Sequence, residues 1–137
     1  MPLSIPLPAG AKIIVNGAVV ENSGAANISL TIHNRANILR DKDVLTASEA
    51  TTPARQLYHA IQNAYLFEGN RGEWLEIAGA LIFNFAGRGD AEREIVLHLK
   101  ELVAQDKLYN ALRATRKLIA LEDGIIAGQQ AKAGSGQ

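Results

Sequence analysis

Between residues 35 and 62, in RANILRDKDVLTASEATTPARQLYHAIQ, the hydrophobic spacing of this chain changes from two residues to the three or four of a helix. Everything before this stretch reads as sheet and everything after it as helix, which confines the fold to an α+β architecture with a small sheet layer on a helical layer. Thr51, Thr52 and Pro53 mark the boundary. A hydroxyl that accepts from a free backbone N–H, followed by a proline at the first helical position, predicts Thr52 as an N-cap. Leu57, Ile61, Ala64 and Tyr65 then share one apolar face of a helix expected to run to about residue 68 and to stop at Gly69.

Arg55 falls in the first turn of that helix, where the dipole disfavours a cation by roughly 0.3–1 kcal/mol at a surface. Something must compensate it. The sequence offers an acidic neighbour such as Asp43 or Glu49, or else a bound anion drawn by the free N–H groups of the helix start.

Leu3, Ile5 and Leu7 alternate with polar or proline positions, and Pro6 and Pro8 restrict this segment to an edge strand. Residues 12–15 and 18–21 flank Asn16-Gly17, the pair that most readily takes the positive φ angles of a two-residue hairpin. Ile28, Leu30 and Ile32 alternate with Asn27, Ser29, Thr31 and His33, which predicts a strand with one wet face. Weaker strand signals lie at 37–39 and around Val44 and Leu45.

Beyond Gly69, a second helix is expected over 73–86, with Trp74, Ile77, Ala78, Leu81 and Phe85 on one face. Ile82 and Phe83 widen its apolar band, which places it more centrally than the others. Asp90 can cap a third helix carrying Ile95, Leu99, Leu102 and Val103, with a break at Gln105-Asp106. A fourth, over 107–121, carries Leu108, Leu112, Leu118 and Ile119, with Gly124 as its stop. The expected fold is thus a small N-terminal antiparallel sheet or partial barrel followed by a bundle of about four helices. It forms a single domain over 1–127, β-rich over 1–46 and helical over 47–127. The Gly, Gln, Ala and Ser of 128–137 predict a disordered tail.

The 137 residues are 47% hydrophobic, as in globular proteins, yet lack an apolar run of about 18 residues or a basic, apolar leader. No membrane association is expected, and a cytoplasmic location follows by default. The absence of cysteine excludes disulfides, thiolate catalysis and cysteine-based zinc sites. His33, His59 and His98 sit on separate elements without the paired spacing of metal ligands, and no nucleophile elbow or phosphate-binding loop occurs. Neither an enzyme nor a cofactor is expected.

The net charge of zero means that any nucleic-acid surface must gather its cations locally. Arg113, Arg116 and Lys117 project from the fourth helix opposite its leucines, with Tyr109 one turn earlier able to stack on a base. An ordinary solvated helix face, near a C-terminus that favours cations anyway, is the favoured reading of these three from spacing alone. Arg35, Arg40 and Lys42 form a second patch, diluted by Asp41 and Asp43. Gly69-Asn70-Arg71-Gly72 matches the G-x-x-G loop of one class of RNA-binding modules, but the chain continues into helix where that module continues into a strand, which favours paired helix stops.

The order of an LSIPLPAGAKIIVNGAVV hairpin, then NRANILRDKDVLTASEATTPARQLYHAIQ, then helices ending in YNALRATRKLIALE, resembles the FlbT family of flagellar biosynthesis regulators from alphaproteobacteria over about residues 3–123. The resemblance implies a post-transcriptional regulator that binds the 5′ untranslated region of flagellin mRNA, represses translation and promotes decay during flagellum assembly. It implies the flagellin regulator FlaF, and flagellin itself, as protein partners. No catalytic residue or metal ligand accompanies the family. On the matching motifs, candidate RNA-binding residues are Arg40 and Lys42 of RDKD, Arg55 of TTPAR, and Arg113, Arg116 and Lys117 of the closing helix. The alternative is an adaptor that binds flagellin or FlaF through a helix face or the edge strand at 3–7, with only an indirect effect on mRNA. The unpaired sheet edge also makes a homodimer reasonable.

Overall fold

The computed structural model describes residues 2–85 and 87–135, with side chains described through Ile125. Five strands come first: β1 (Leu3–Leu7), β2 (Lys12–Val15), β3 (Ala18–Glu21), β4 (Ile28–Ile32) and β5 (Ile38–Arg40). Four helices follow: α1 (Pro53–Leu66), α2 (Arg71–Phe85), α3 (Asp90–Ala104) and α4 (Leu108–Ser135). The switch of period seen in the sequence is therefore the switch from sheet to bundle.

The strands make two antiparallel sheets, β1 with β4, and β3-β2-β5. Asn16 and Gly17 take φ values of 51° and 88°, as a two-residue hairpin requires. Gly17 is also approached by the Phe67 ring and the Leu66 carbonyl, so a side chain there would meet both strain and a neighbour. Ile14 of β2 lies opposite Leu39 of β5, and that face meets the helices. Asn22 is buried and joins the strand layers. Its amide donates to the carbonyls of Leu7 and Ala26, both at 2.9 Å, and its side-chain oxygen accepts from Gly24 N–H at 3.1 Å.

Thr52 caps α1, accepting from the Arg55 N–H, and Pro53 is its first residue. The helices form a closed ring: α1 packs on α2 and α4, and α3 packs on the same two. Leu57, Ile61, Phe85, Val96, Leu99, Leu112 and Leu118 fill the space between them, and Leu39 is the sheet's contribution.

Several expected boundaries move. The chain around Val44 and Leu45 is not a strand. Two 3-10 turns, Asp41–Asp43 and Ala47–Glu49, bracket it, and the Gln62 side chain serves both polar groups of Leu45. Its Oε1 accepts from Leu45 N–H at 2.7 Å and its Nε2 donates to the Leu45 carbonyl at 2.8 Å. A side-chain amide thus replaces the neighbouring strand. Helix α1 ends at Leu66, before a 3-10 turn over Glu68–Asn70, and Gly72 lies inside α2 instead of stopping a helix. Arg71 Nε donates to the Ala64 carbonyl at 2.9 Å, satisfying the end of α1. Gly124 does not stop α4, which continues to Ser135. Of the tail expected to be disordered, 136 and 137 lie outside the described residues, and the backbone before them continues α4.

The placing of α2 at the centre is also corrected. It buries Ala78, Ile82 and Phe85 but leaves Ile77 47% and Phe83 80% exposed, because α1 and α3 cover only its inner side.

His59 packs edge-on against Trp74, with ring centroids 5.5 Å apart, and Nε2 lies 3.3 Å from Asn63 Nδ2. Burial holds the imidazole below its usual value of 6.5. A histidine that resists protonation in the fold contributes stability above its unfolded pKa, and that contribution is lost as the pH falls. Melting scans from about pH 7.5 to about pH 5 are therefore expected to show Tm falling on acidification, with His59→Gln showing a smaller fall. An equal fall in both proteins would remove His59 from the account.

Candidate nucleic-acid interface

Strand β5 and the turn after it form one wall of a groove, and α4 forms the other. Arg40 and Lys42 come from the first wall and Arg113 and Arg116 from the second, around a cleft of about 590 Å³ whose only carboxylate among the described residues is Asp43. An adjoining cleft of about 790 Å³ adds Arg35, Arg71 and Lys107 with Glu68 and Asp106. The two clefts share Ala36, Tyr65 and Tyr109, and so form one groove with seven cationic and three acidic side chains. In a chain with zero net charge, this is a local concentration of positive charge.

The floor of the groove is fixed by Tyr65. Its hydroxyl accepts from Ile38 N–H at 3.0 Å and donates to the Ile38 carbonyl at 3.1 Å, so α1 supplies the missing neighbour of β5. Asn37 Nδ2 donates to the Tyr65 carbonyl at 2.9 Å. Burial raises the Tyr65 hydroxyl above its ordinary pKa, which keeps it neutral and available for both bonds. The Tyr109 ring stands 5.9 Å from that of Tyr65, tilted by 44°, and is exposed to solvent. A tilted, half-open aromatic pair between cationic stretches can hold a flat base while the flanking cations hold its phosphates.

The cations are not equivalent. Arg116 Nη2 lies 2.9 Å from Asp43 Oδ1 and 3.4 Å from the Tyr58 hydroxyl, which itself donates to the Asp43 carbonyl at 2.6 Å. The bond to Tyr58 raises the guanidinium pKa further, opposed by burial. Arg116 therefore holds the two walls together as well as facing the groove. Among the described residues, Arg40, Lys42 and Arg113 have no carboxylate partner within 4.0 Å. They remain available for an external anion.

Two of the six residues singled out in the sequence lie elsewhere. Lys117 is exposed on α4 but does not line the groove. Arg55 is engaged by the end of α4: Nη1 and Nη2 donate to Asp123 at 2.8 and 2.9 Å, and Glu122 Oε1 lies at 3.6 Å. The hydrogen bond to Asp123 raises the Arg55 pKa and the same bond lowers that of Asp123. Compensation of this first-turn cation is therefore internal, as one of the two alternatives had it, but the partners are Glu122 and Asp123 instead of Asp43 or Glu49. Sequence reasoning missed Tyr65 and Lys107 as lining residues, and met Arg71 only in the G-x-x-G loop that it set aside in favour of helix stops. A tyrosine at an apolar helix position was the available signal, since its hydroxyl needs a partner when covered.

No described helix is long and apolar enough to cross a membrane, and the described residues hold no cluster of three or more metal-ligating side chains. Fold and groove together define a small α+β protein that presents a cationic channel floored by aromatic rings. The chain belongs to the FlbT family, whose description, "Flagellar protein FlbT", matches residues 3–126. It is 36% identical over 126 residues to the "Probable flagellum biosynthesis repressor protein FlbT" of Caulobacter sp. (strain K31), covering 90% of this chain and 95% of the relative. The "Flagellum biosynthesis repressor protein FlbT" of Caulobacter vibrioides (strain ATCC 19089 / CIP 103742 / CB 15) is 34% identical over 125 residues, 90% of this chain and 88% of the relative. A relative of Rhodopseudomonas palustris (strain TIE-1) is 30% identical over 127 residues, 93% of this chain and 99% of its own length. No solved structure matches the chain.

Proposed function

We propose that the protein is a cytoplasmic repressor of flagellin synthesis that holds the 5′ untranslated region of flagellin mRNA in the groove between β5 and α4, lowering translation and promoting decay of the message. The observation that carries this reading is the convergence of the unpaired Arg40, Lys42 and Arg113 on one cleft beside the exposed Tyr109. The names of the relatives, as repressors of flagellum biosynthesis, support the direction of regulation. Arg40, Lys42 and Arg113 would neutralise phosphates, and Tyr109 would receive a base. The groove residues then act by occupying the leader, and need no covalent step. FlaF or flagellin would complete or release the complex as protein partners.

Fluorescence-anisotropy titration of a labelled flagellin leader against a scrambled RNA, over a salt series, tests this. Each phosphate neutralised on a single strand contributes about 0.7 to the log-log salt slope. Replacing Arg40, Lys42 and Arg113 together by serine is expected to weaken binding at least tenfold and to flatten the slope by about 2. Lys100→Ser, on the exposed side of α3, should leave both unchanged. Absence of any leader-dependent signal at low salt, alone or with FlaF, would defeat the reading and favour an adaptor acting on protein partners.

A further inference from the structure

We propose that the cleft between the β1-to-β2 turn and the end of β5 docks an acidic, leucine-bearing segment of a protein partner, and that this docking draws Arg40 and Lys42 away from RNA. The competition presupposes the RNA groove proposed above; the docking does not. The cleft measures about 570 Å³, and Pro6, Pro8 and Ala11 lie over the buried Leu7 and Ile13 on its apolar side. Lys12, Arg40 and Lys42 stand exposed around it, against Asp41 as the one carboxylate among the described lining residues. None of the three has a carboxylate within 4.0 Å among the described residues, although Glu21 lies opposite Lys12 across the hairpin. An apolar floor under an excess of cations is complementary to acidic side chains that flank an aliphatic one.

A protein segment suits this cleft better than RNA does. None of the described lining residues is aromatic, so a base has no ring to stack on, whereas the neighbouring groove has Tyr65 and Tyr109. Pro6 and Pro8 also lack the N–H that a continuing strand needs, so the segment is held by its side chains instead of by a ladder. The wall that receives it is already fixed. Gly10 N–H donates to the Asn22 carbonyl at 2.8 Å, Ala11 N–H donates to the Pro8 carbonyl at 3.0 Å, and the Asn22 amide holds the Leu7 carbonyl. Little further ordering is then needed on binding. Arg40 and Lys42 line both this cleft and the RNA groove, and so form the ridge between them. Lys12 faces the cleft alone, and Arg113 the groove alone. A carboxylate paired with the ridge takes from the groove two of its phosphate-binding cations, and by linkage each ligand weakens the other by the same factor.

Anisotropy of a fluorescein-labelled peptide, a leucine pair flanked by glutamates, titrated with the full chain at low salt and without RNA, tests the docking. The peptide is expected to bind, and its counterpart with lysines in place of the glutamates is not. Lys12→Ser is expected to weaken peptide binding a few-fold and leave the affinity for the flagellin leader unchanged, Arg113→Ser to do the reverse, and Arg40→Ser to weaken both. Leader present at ten times its own Kd should raise the apparent Kd of the peptide about tenfold. A peptide that does not bind, or whose binding is indifferent to Lys12→Ser, overturns the docking. A leader affinity that falls with Lys12→Ser makes the cleft part of the RNA path and overturns it equally. Peptide and leader bound at once overturn the competition. A chain that binds the peptide through Lys12 but binds no leader defeats the RNA reading and the competition with it, while the docking stands.

Discussion

Leu112→Ala is expected to destabilise the fold by about 2–5 kcal/mol, the range for removing a leucine side chain from a packed interior. Leu112 is fully buried on α4, within the cluster that includes Leu57 and Ile61 of α1 and Leu99 of α3. The ring of helices closes where α4 meets both α1 and α3, so a void there lies between three elements that cannot all move inward. Neighbouring Thr115 is also buried, its hydroxyl donating to the Ala111 carbonyl at 2.7 Å, which leaves little slack along the inner face of α4. Urea titrations read by circular dichroism should show the midpoint falling at constant slope. Leu97→Ala, at a position 55% exposed on α3, should change stability by about 0.5 kcal/mol or less. Equal shifts from the two substitutions would mean that the closure between α4 and its neighbours is wrongly drawn.

Gln62→Leu is the second large effect, because it keeps side-chain volume while removing the amide that serves Leu45. The Leu45 N–H and C=O then lose their partners in a half-buried setting, at a cost of about 1–3 kcal/mol. The loss falls on one wall of the groove. The segment from Asp41 to Leu45 is held to the bundle by Gln62, by Tyr58 at the Asp43 carbonyl and by Arg116 at the Asp43 carboxylate. Hydrogen exchange at Leu45 should therefore accelerate more than exchange at Leu57 in the centre of α1. Unchanged protection at Leu45 would show that the side-chain amide is not what secures this wall.

The parts of the fold legible in the sequence were those decided by neighbours in the chain. Asn16-Gly17 specifies its hairpin through backbone angles, and Thr52-Pro53 specifies its helix start through a cap three residues away. The parts that were not legible depend on distant partners. Val44 and Leu45 look like strand because they are apolar and β-branched in part, and nothing local says that Gln62 takes the place of a ladder. Gly124 resembles a stop, but one glycine costs only about 1 kcal/mol inside a helix whose flanks favour continuing. The spacing of α2 shows how apolar it is, without showing that Phe83 is turned outward.

The candidate site divides in the same way. Arg40 and Lys42 were grouped in the sequence by adjacency, and Arg113 and Arg116 by helical spacing, but only the packing of β5 beside α4 puts the two groups on one groove. Arg55 and Lys117 met the same criteria of charge and position and are directed elsewhere. Local spacing gives the direction of a side chain around its own helix; it carries no information on which neighbouring element that direction meets.

The start of α1 is completed from far along the chain. Glu122 Oε2 accepts from the Ala54 N–H at 3.1 Å, and Asp123 clasps Arg55, each across 68 positions of sequence. During synthesis, a helix begun at Pro53 must wait for residues 122 and 123 to leave the ribosome before its first turn is neutralised. Until then that turn is a positive pole carrying a guanidinium that lacks its native partners.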